Sequence, residues 1–256
     1  MAITVNTNVF SLAAQKNLGR TQSSLETAVQ RLSSGLRINM AKDDAAGLAI
    51  AQLQTGQARG MTVAQRNIAD GISYLSVADA TLQTVSDMMQ RQRELAVQYA
   101  SGLYTAAQQG YMTTEFTALA TEITDALARA TFNGTAVFGG GGTIQVGANA
   151  GQTITVSSAA PAHTATIGSI AAVDTDLNAV AAELANVGSL QSRLSSASRV
   201  AASIEEAQYA AAGRVMDADF ARETARMTSA QVVQQAGVAA LAQANSLPQL
   251  ALGLLS

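Results

Sequence analysis

The chain has 256 residues, 15 Lys and Arg against 18 Asp and Glu, and a formal net charge of -3. Hydrophobic residues make up 48% but aromatics only 4%, with 53 Ala, two Pro (Pro161 and Pro248), one His (His163), no Trp and no Cys. This composition excludes disulfides, thiol chemistry and thiolate or His-pair metal sites, argues against a catalytic triad, and gives no general support for nucleic-acid binding.

An Ala-rich chain poor in Pro and charge suits long helices in close contact. The first basic residue is Lys16, so the start does not read as a cleaved signal peptide. No run of about 18 apolar residues marks a spanning helix. The expectation is a cytosolic protein, or one exported without a cleaved signal.

The first helix is expected from Ser11 to Leu36, where Leu18, Leu25, Val29, Leu32 and Leu36 fall at three-, four- and seven-residue spacings. Met1 to Met40 carries Lys16, Arg20, Arg31 and Arg37 against Glu26. A later seam runs through Leu75, Ala78, Leu82, Val85, Met89, Ala96 and Tyr99, interrupted by Gln92. Alternating three- and four-residue steps keep one stripe facing a partner helix. Small side chains bury little area each, so such seams need length to accumulate stability. A further helix is expected before the chain changes character near Thr131.

Between Thr131 and Asp174 the pattern turns to β. Asn133-Gly134 and Gly139–Gly142 are turn signals, and Thr143–Val146 and Thr153–Val156 are β-prone runs joined by residues 147–152. They predict a hairpin, followed from Ser157 to Ile170 by a loose connection. The next seam uses Leu177, Val180, Leu184, Val187, Gln191, Leu194, Ala201 and Ile204. The expected order is three helices, a short β insert and two helices. That makes a mainly α fold, an elongated antiparallel bundle or coiled coil with a small β-hairpin insert.

The end of the chain is the most distinctive part. Thr228 to Ser256 is a run of 29 residues without a charge, containing Gln231, Gln234, Gln235, Gln243, Asn245 and Gln249 among leucines. Its amides are costly in lipid, and its leucines are poorly placed in water. Such a segment is expected to order when copies of the chain assemble.

Candidate chemical sites are weak beside this. Asp43-Asp44, Asp174/Asp176 and Asp217/Asp219 can be drawn as metal or acid–base carboxylates, but read better as helix caps or solvated faces. Gly139–Gly142 lacks the Lys-Ser/Thr of a phosphate loop. His163 reads as a solvated loop residue, and the glycosylation triplet at Asn133-Gly134-Thr135 as chance. Arg91, Arg93 and Glu94 read as surface charge pairs. Gly35 costs about 1 kcal/mol inside a helix, tolerable beside a close backbone or at a bend.

Several sequence words then carry a resemblance. RLSSGLRIN at Arg31–Asn39 and AKDDAAGLAIA at Ala41–Ala51 are followed in order by RNIADGISYL at Arg66–Leu75 and QRQRELAVQYA at Gln90–Ala100. TFNG at Thr131–Gly134, IQVGANAGQTI at Ile144–Ile154, DADFARETARMTSAQVVQQAG at Asp217–Gly237 and LAQANSLPQLALGLL at Leu241–Leu255 continue it. Together they resemble bacterial flagellin, in a short form without the large outer surface domains.

The resemblance implies a structural, non-enzymatic subunit, without cofactor or metal, that polymerises into the extracellular flagellar filament for motility. It implies paired terminal helices, 1–42 with 217–256, forming the filament's inner tube. Residues 43–216, with the β region at about 131–173, would form the outer tube. Polymer contacts and motif residues would be Arg31, Leu32, Gly35, Leu36, Asn39, Asp43, Asp44, Gln234, Gln235, Leu241, Asn245, Leu252 and Leu255. Implied partners are further copies of the chain, an export chaperone and type III export apparatus, and the filament cap and hook-junction proteins, with no nucleic acid or membrane. Arg91, Leu95 and Glu115 match positions contacted by a host toll-like receptor. The competing readings are a hook–filament junction protein and, in another class, a helical bundle that inserts into membranes.

Overall fold

The structure is a computed structural model that describes residues 7–253, with side chains through residue 246. Leu252 therefore lies outside the described side chains, and Leu255 outside the described residues altogether. The elements in order are α1 (Val9–Ser34), α2 (Ala45–Tyr99), α3 (Ala106–Arg129), β1 (Thr131–Phe132), β2 (Thr135–Ala136), β3 (Gly141–Gln145), β4 (Thr153–Ser157), α4 (Ile170–Met216) and α5 (Phe220–Gly253). Three helices, a β insert and two helices are thus the observed order. The chain divides into one unit of residues 1–55 with 209–256 and another of residues 56–208.

In the first unit α1 packs along α5. The side chain of Asn8 caps α1 by accepting from the Ser11 N–H, and Gly35 closes it in the left-handed region at φ 73°. Gly35 thus lies at the helix end, and a Cβ there would meet nothing within 4 Å. Its φ, which L side chains resist, is the reason for glycine, rather than the close approach or mid-helix bend expected from sequence. Asp219 begins α5 by accepting from the Arg222 N–H at 3.1 Å.

The second unit is built on one continuous seam of α2. Met61, Ile68, Leu75, Ala78, Leu82, Val85 and Met89 are buried in a core that also takes Ile123 of α3, Ile154 and Val156 of β4, and Val180, Val187 and Leu194 of α4. Gln92 continues the same spacing and is fully buried, because its Nε2 donates to the Phe116 carbonyl at 3.1 Å. Gly71 also lies on this seam. A Cβ there would come within 2.1 Å of Ile144 Cδ1 and 3.2 Å of Leu194 Cδ1, so glycine lets β3 and α4 approach the helix. Ile204, expected on the α4 seam, is 36% exposed, and Ala201 is the last α4 residue in this core. Thr105 caps α3 in a reciprocal box with Gln108.

β3 and β4 pair antiparallel in the register Ile144↔Ile154, which is the expected hairpin. Alternation along β4 turns Ile154 and Val156 inward. Asn133-Gly134 does more than turn the chain. With φ of 49° and 78° it closes a second, two-residue hairpin between β1 and β2.

The segment after β4 is not the loose connection expected. Asp176 of α4 is buried, and its Oδ2 accepts from the N–H groups of Thr164 and Ala165, both at 2.8 Å. The His163 side chain is only 9% exposed, with Nδ1 3.3 Å from the same oxygen and Nε2 3.4 Å from Gln92 Nε2. The Nδ1 contact is a close approach and not a hydrogen bond. His163 is therefore not solvated, and Asp176 is neither a cap nor a surface charge. Backbone polar groups entering a core need a partner, and this carboxylate supplies one.

Candidate functional site

The first unit carries the features that composition could not place. On α1 the residues turned inward are Ser11, Ala14, Leu18, Thr21, Leu25, Ala28 and Leu32, and on α5 they are Glu223, Met227, Ala230, Gln234, Gly237, Leu241 and Ala244. Both lines step by three and four residues, the spacing of a coiled-coil seam. Val29, expected on the α1 stripe, is 47% exposed, and its place is taken by Ala28. Small residues let the helices close up; a Cβ on Gly237 would sit 3.4 Å from Leu18 Cδ1.

Polar contacts fix the antiparallel register at both ends. Asn8 Nδ2 donates to the Ala244 carbonyl at 2.8 Å. Toward the other end Glu223, 4% exposed, accepts from Arg31 at 3.3 Å and from Arg226 at 2.8 Å. Next to it the two chain breaks are stitched together. Leu36 bridges Asp217 antiparallel, Arg37 N donates to Met216 O at 2.6 Å, and Ala218 N donates to Gly35 O at 2.9 Å. The Arg37 guanidinium reaches the Val215 carbonyl at 2.5 Å.

The acidic pair after this join divides its work. Asp44 caps α2 by accepting from the Gly47 N–H at 2.8 Å. Asp43 turns back to accept from the N–H groups of Asn39 and Met40 at 3.2 and 3.1 Å. Those two backbone bonds hold the Asp43 carboxyl below the ordinary value of 3.8. Of the anticipated residues, Arg31, Leu32, Gly35, Leu36, Asn39, Asp43 and Asp44 thus cluster at or beside the join. Gln234 and Leu241 lie on the α5 seam, while Gln235 and Asn245 are exposed. The cap expected at Asp217/Asp219 falls on Asp219, whereas sequence reasoning missed Asn8 and Glu223, although Asp219-Arg222-Glu223-Arg226 has the spacing of a capped, paired helix start.

Outside its seam the α1–α5 pair leaves large apolar side chains in water. Val9, Phe10 and Leu12 are 63%, 57% and 57% exposed, and Val232, Val233 and Val238 are 60%, 51% and 54% exposed. A cluster of this kind marks an interaction surface. Among the described residues no helix is long and apolar enough to cross a membrane.

In the second unit Arg91 bridges Glu94 and Glu115, each at 2.8 Å, and Arg93 pairs with Asp174 at 2.5 Å. These are half-exposed surface pairs, as the sequence implied. Leu95 is 2% exposed, in a small core with Met112, Phe116 and Val173.

Known proteins are similar to this chain in sequence. Residues 5–143 match the bacterial flagellin N-terminal helical region, and residues 170–255 match the bacterial flagellin C-terminal helical region. The flagellar filament 33 kDa core protein of Treponema phagedenis is 35% identical over 283 residues, covering 98% of this chain and 99% of that protein. A flagellin of Salmonella muenchen is 46% identical over 158 residues, which cover 61% of this chain but 31% of that longer protein. The crystal structure of Bacillus cereus flagellin aligns at 22% identity and TM-score 0.41, covering 56% of this chain and 88% of that one. Both helical regions, and a relative matched over nearly its whole length, therefore lead to one conclusion: the chain belongs to the bacterial flagellin family, as a short member without large outer domains.

Proposed function

We propose that this flagellin, a structural subunit of the flagellar filament, assembles through its paired terminal helices, residues 1–42 with 217–256, as the inner tube. Residues 43–216 form the outer tube. The observation that carries this reading is the α1–α5 pair, which exposes Val9, Phe10, Leu12, Val232, Val233 and Val238 and whose α5 helix has no charge after Arg226. In water that surface is unfavourable, and covering it with other copies offsets the entropy of ordering the ends.

Arg31, Leu32, Gly35, Leu36, Asn39, Asp43 and Asp44 hold the join in this scheme, and Gln234, Gln235, Leu241, Asn245, Leu252 and Leu255 contribute to packing between copies. The role is mechanical rather than enzymatic. Secretion through the type III export apparatus, with a chaperone masking the uncharged tail, delivers the subunit outside the cell to the cap and the hook-junction proteins. Toll-like receptor recognition rests on the exposed Arg91–Glu115 pair, whereas Leu95, expected as a third contact, is buried and not available to one.

Removing Gln234–Ser256 tests the assembly reading. Electron microscopy is expected to show no filaments, while circular dichroism retains the helices of residues 56–208. Filaments of normal length from the truncated chain would refute it.

A further inference from the structure

The α1–α5 pair also carries an arginine-rich surface, which meets the apolar one at Val233. A groove of about 790 Å³ runs between the two helices, lined by Arg20, Thr21, Ser24, Arg31, Arg222 and Arg226 with Glu223 at its base. Four guanidiniums there face one carboxylate. Glu223 is already shared by Arg31 and Arg226. Arg222 has only a 3.9 Å contact to Asp219, and Arg20 has no ion pair among the described residues. The Nε of Arg31 is buried without a hydrogen-bond partner. Unpaired guanidinium donors lining a groove match the planar, two-oxygen geometry of carboxylates.

The charge of the chain is divided in a complementary way. Residues 1–55 with 209–256 carry 8 Lys and Arg against 6 Asp and Glu, a net +2, whereas residues 56–208 carry 7 against 12, a net -5. Within that acidic stretch Asp70, Asp87 and Glu206 are exposed and have no ion pair among the described residues.

We propose that this arginine groove is a carboxylate receptor, filled in the polymer by acidic side chains from the 56–208 stretch of a second copy. This rests on the filament reading above and adds a polar register to the apolar packing. Like charges brought together are repelled and opposite ones are paired, so the groove selects how copies align more than how tightly they hold.

Two measurements on the full-length chain test the proposal. The R20E/R222E variant is expected to need roughly tenfold more subunit to polymerise than the parent, with unchanged helical circular dichroism. In filaments assembled from mixed isotope-labelled and unlabelled R20K/R222K subunits, carbodiimide is expected to join positions 20 or 222 to Asp or Glu of another chain within residues 56–208. Polymerisation of R20E/R222E within about twofold of the parent, or crosslinks confined to one chain or to other segments, would overturn the groove while leaving the filament intact. A parent chain that forms no filaments at all would overturn both readings.

Discussion

Replacing Asp176 with Ala removes the acceptor that anchors the segment between β4 and α4. Two backbone N–H groups, those of Thr164 and Ala165, donate to its Oδ2 at 2.8 Å, and the Thr164 hydroxyl makes a longer contact to Oδ1 at 3.4 Å. Hydrogen bonds to a charged group contribute about 1.5–3 kcal/mol each, and a buried donor left unpaired costs a similar amount. Two short bonds therefore set a scale of about 3–6 kcal/mol. Thr164 is itself exposed, so water can replace part of its bond, and the lower end applies, about 3 kcal/mol. The D176N variant keeps an acceptor oxygen but loses the charge, and is expected to cost about half as much. Urea unfolding of the monomer by circular dichroism measures the difference through the midpoint at constant slope. Hydrogen exchange is expected to show faster labelling at Thr164 and Ala165. A cost below about 1 kcal/mol for D176A, or unchanged exchange at those amides, would refute the account of this carboxylate as an anchor.

Gly71→Ala places a methyl against Ile144 and Leu194 and is expected to cost about 1–3 kcal/mol, read as a lower Tm with loss of order in the β3–β4 hairpin. Glu223→Ala leaves Arg31 and Arg226 without their shared acceptor at a buried position; about 1–3 kcal/mol of pairing between α1 and α5 should be lost, seen as faster exchange in both helices. The turn around Asp43 is expected to depend on pH. Because folding lowers this carboxyl's pKa, its contribution is fully present above the unfolded value near 3.8 and is lost as pH falls through the lower folded value. Protection of the Asn39 and Met40 amides, followed by nuclear magnetic resonance, should therefore persist at pH 5 and fade only in stronger acid, and D43N should remove that dependence.

The order of elements was legible because the α2 and α4 seams use Leu, Val and Met, whose spacing stands out against polar neighbours. The α1–α5 seam was only half legible. Its inward positions include Ala14, Thr21, Ala28, Gln234 and Gly237, which hydropathy does not separate from the outer faces. Val29 looked like a better core residue than Ala28 for the same reason. Yet close helix approach favours the smaller side chain. The join was visible as Gly35 and the Asp217/Asp219 pair, but not as a backbone bridge, since sequence spacing says nothing about two breaks meeting far apart along the chain.

Local chemistry is what the amino-acid order determined unaided: the order of the elements, a hairpin from the β-prone runs 143–146 and 153–156, aspartates at helix starts and an uncharged end unsuited to water or lipid. These depend on a few neighbouring residues and their periodicity. Burial of polar groups was decided only by the folded chain. Gln92, Asp176 and Glu223 are polar residues whose burial spacing alone does not explain, and each is held inward by a partner from a distant segment. The cost of burying such a group is repaid or not by tertiary neighbours, which is why their roles emerge only in three dimensions.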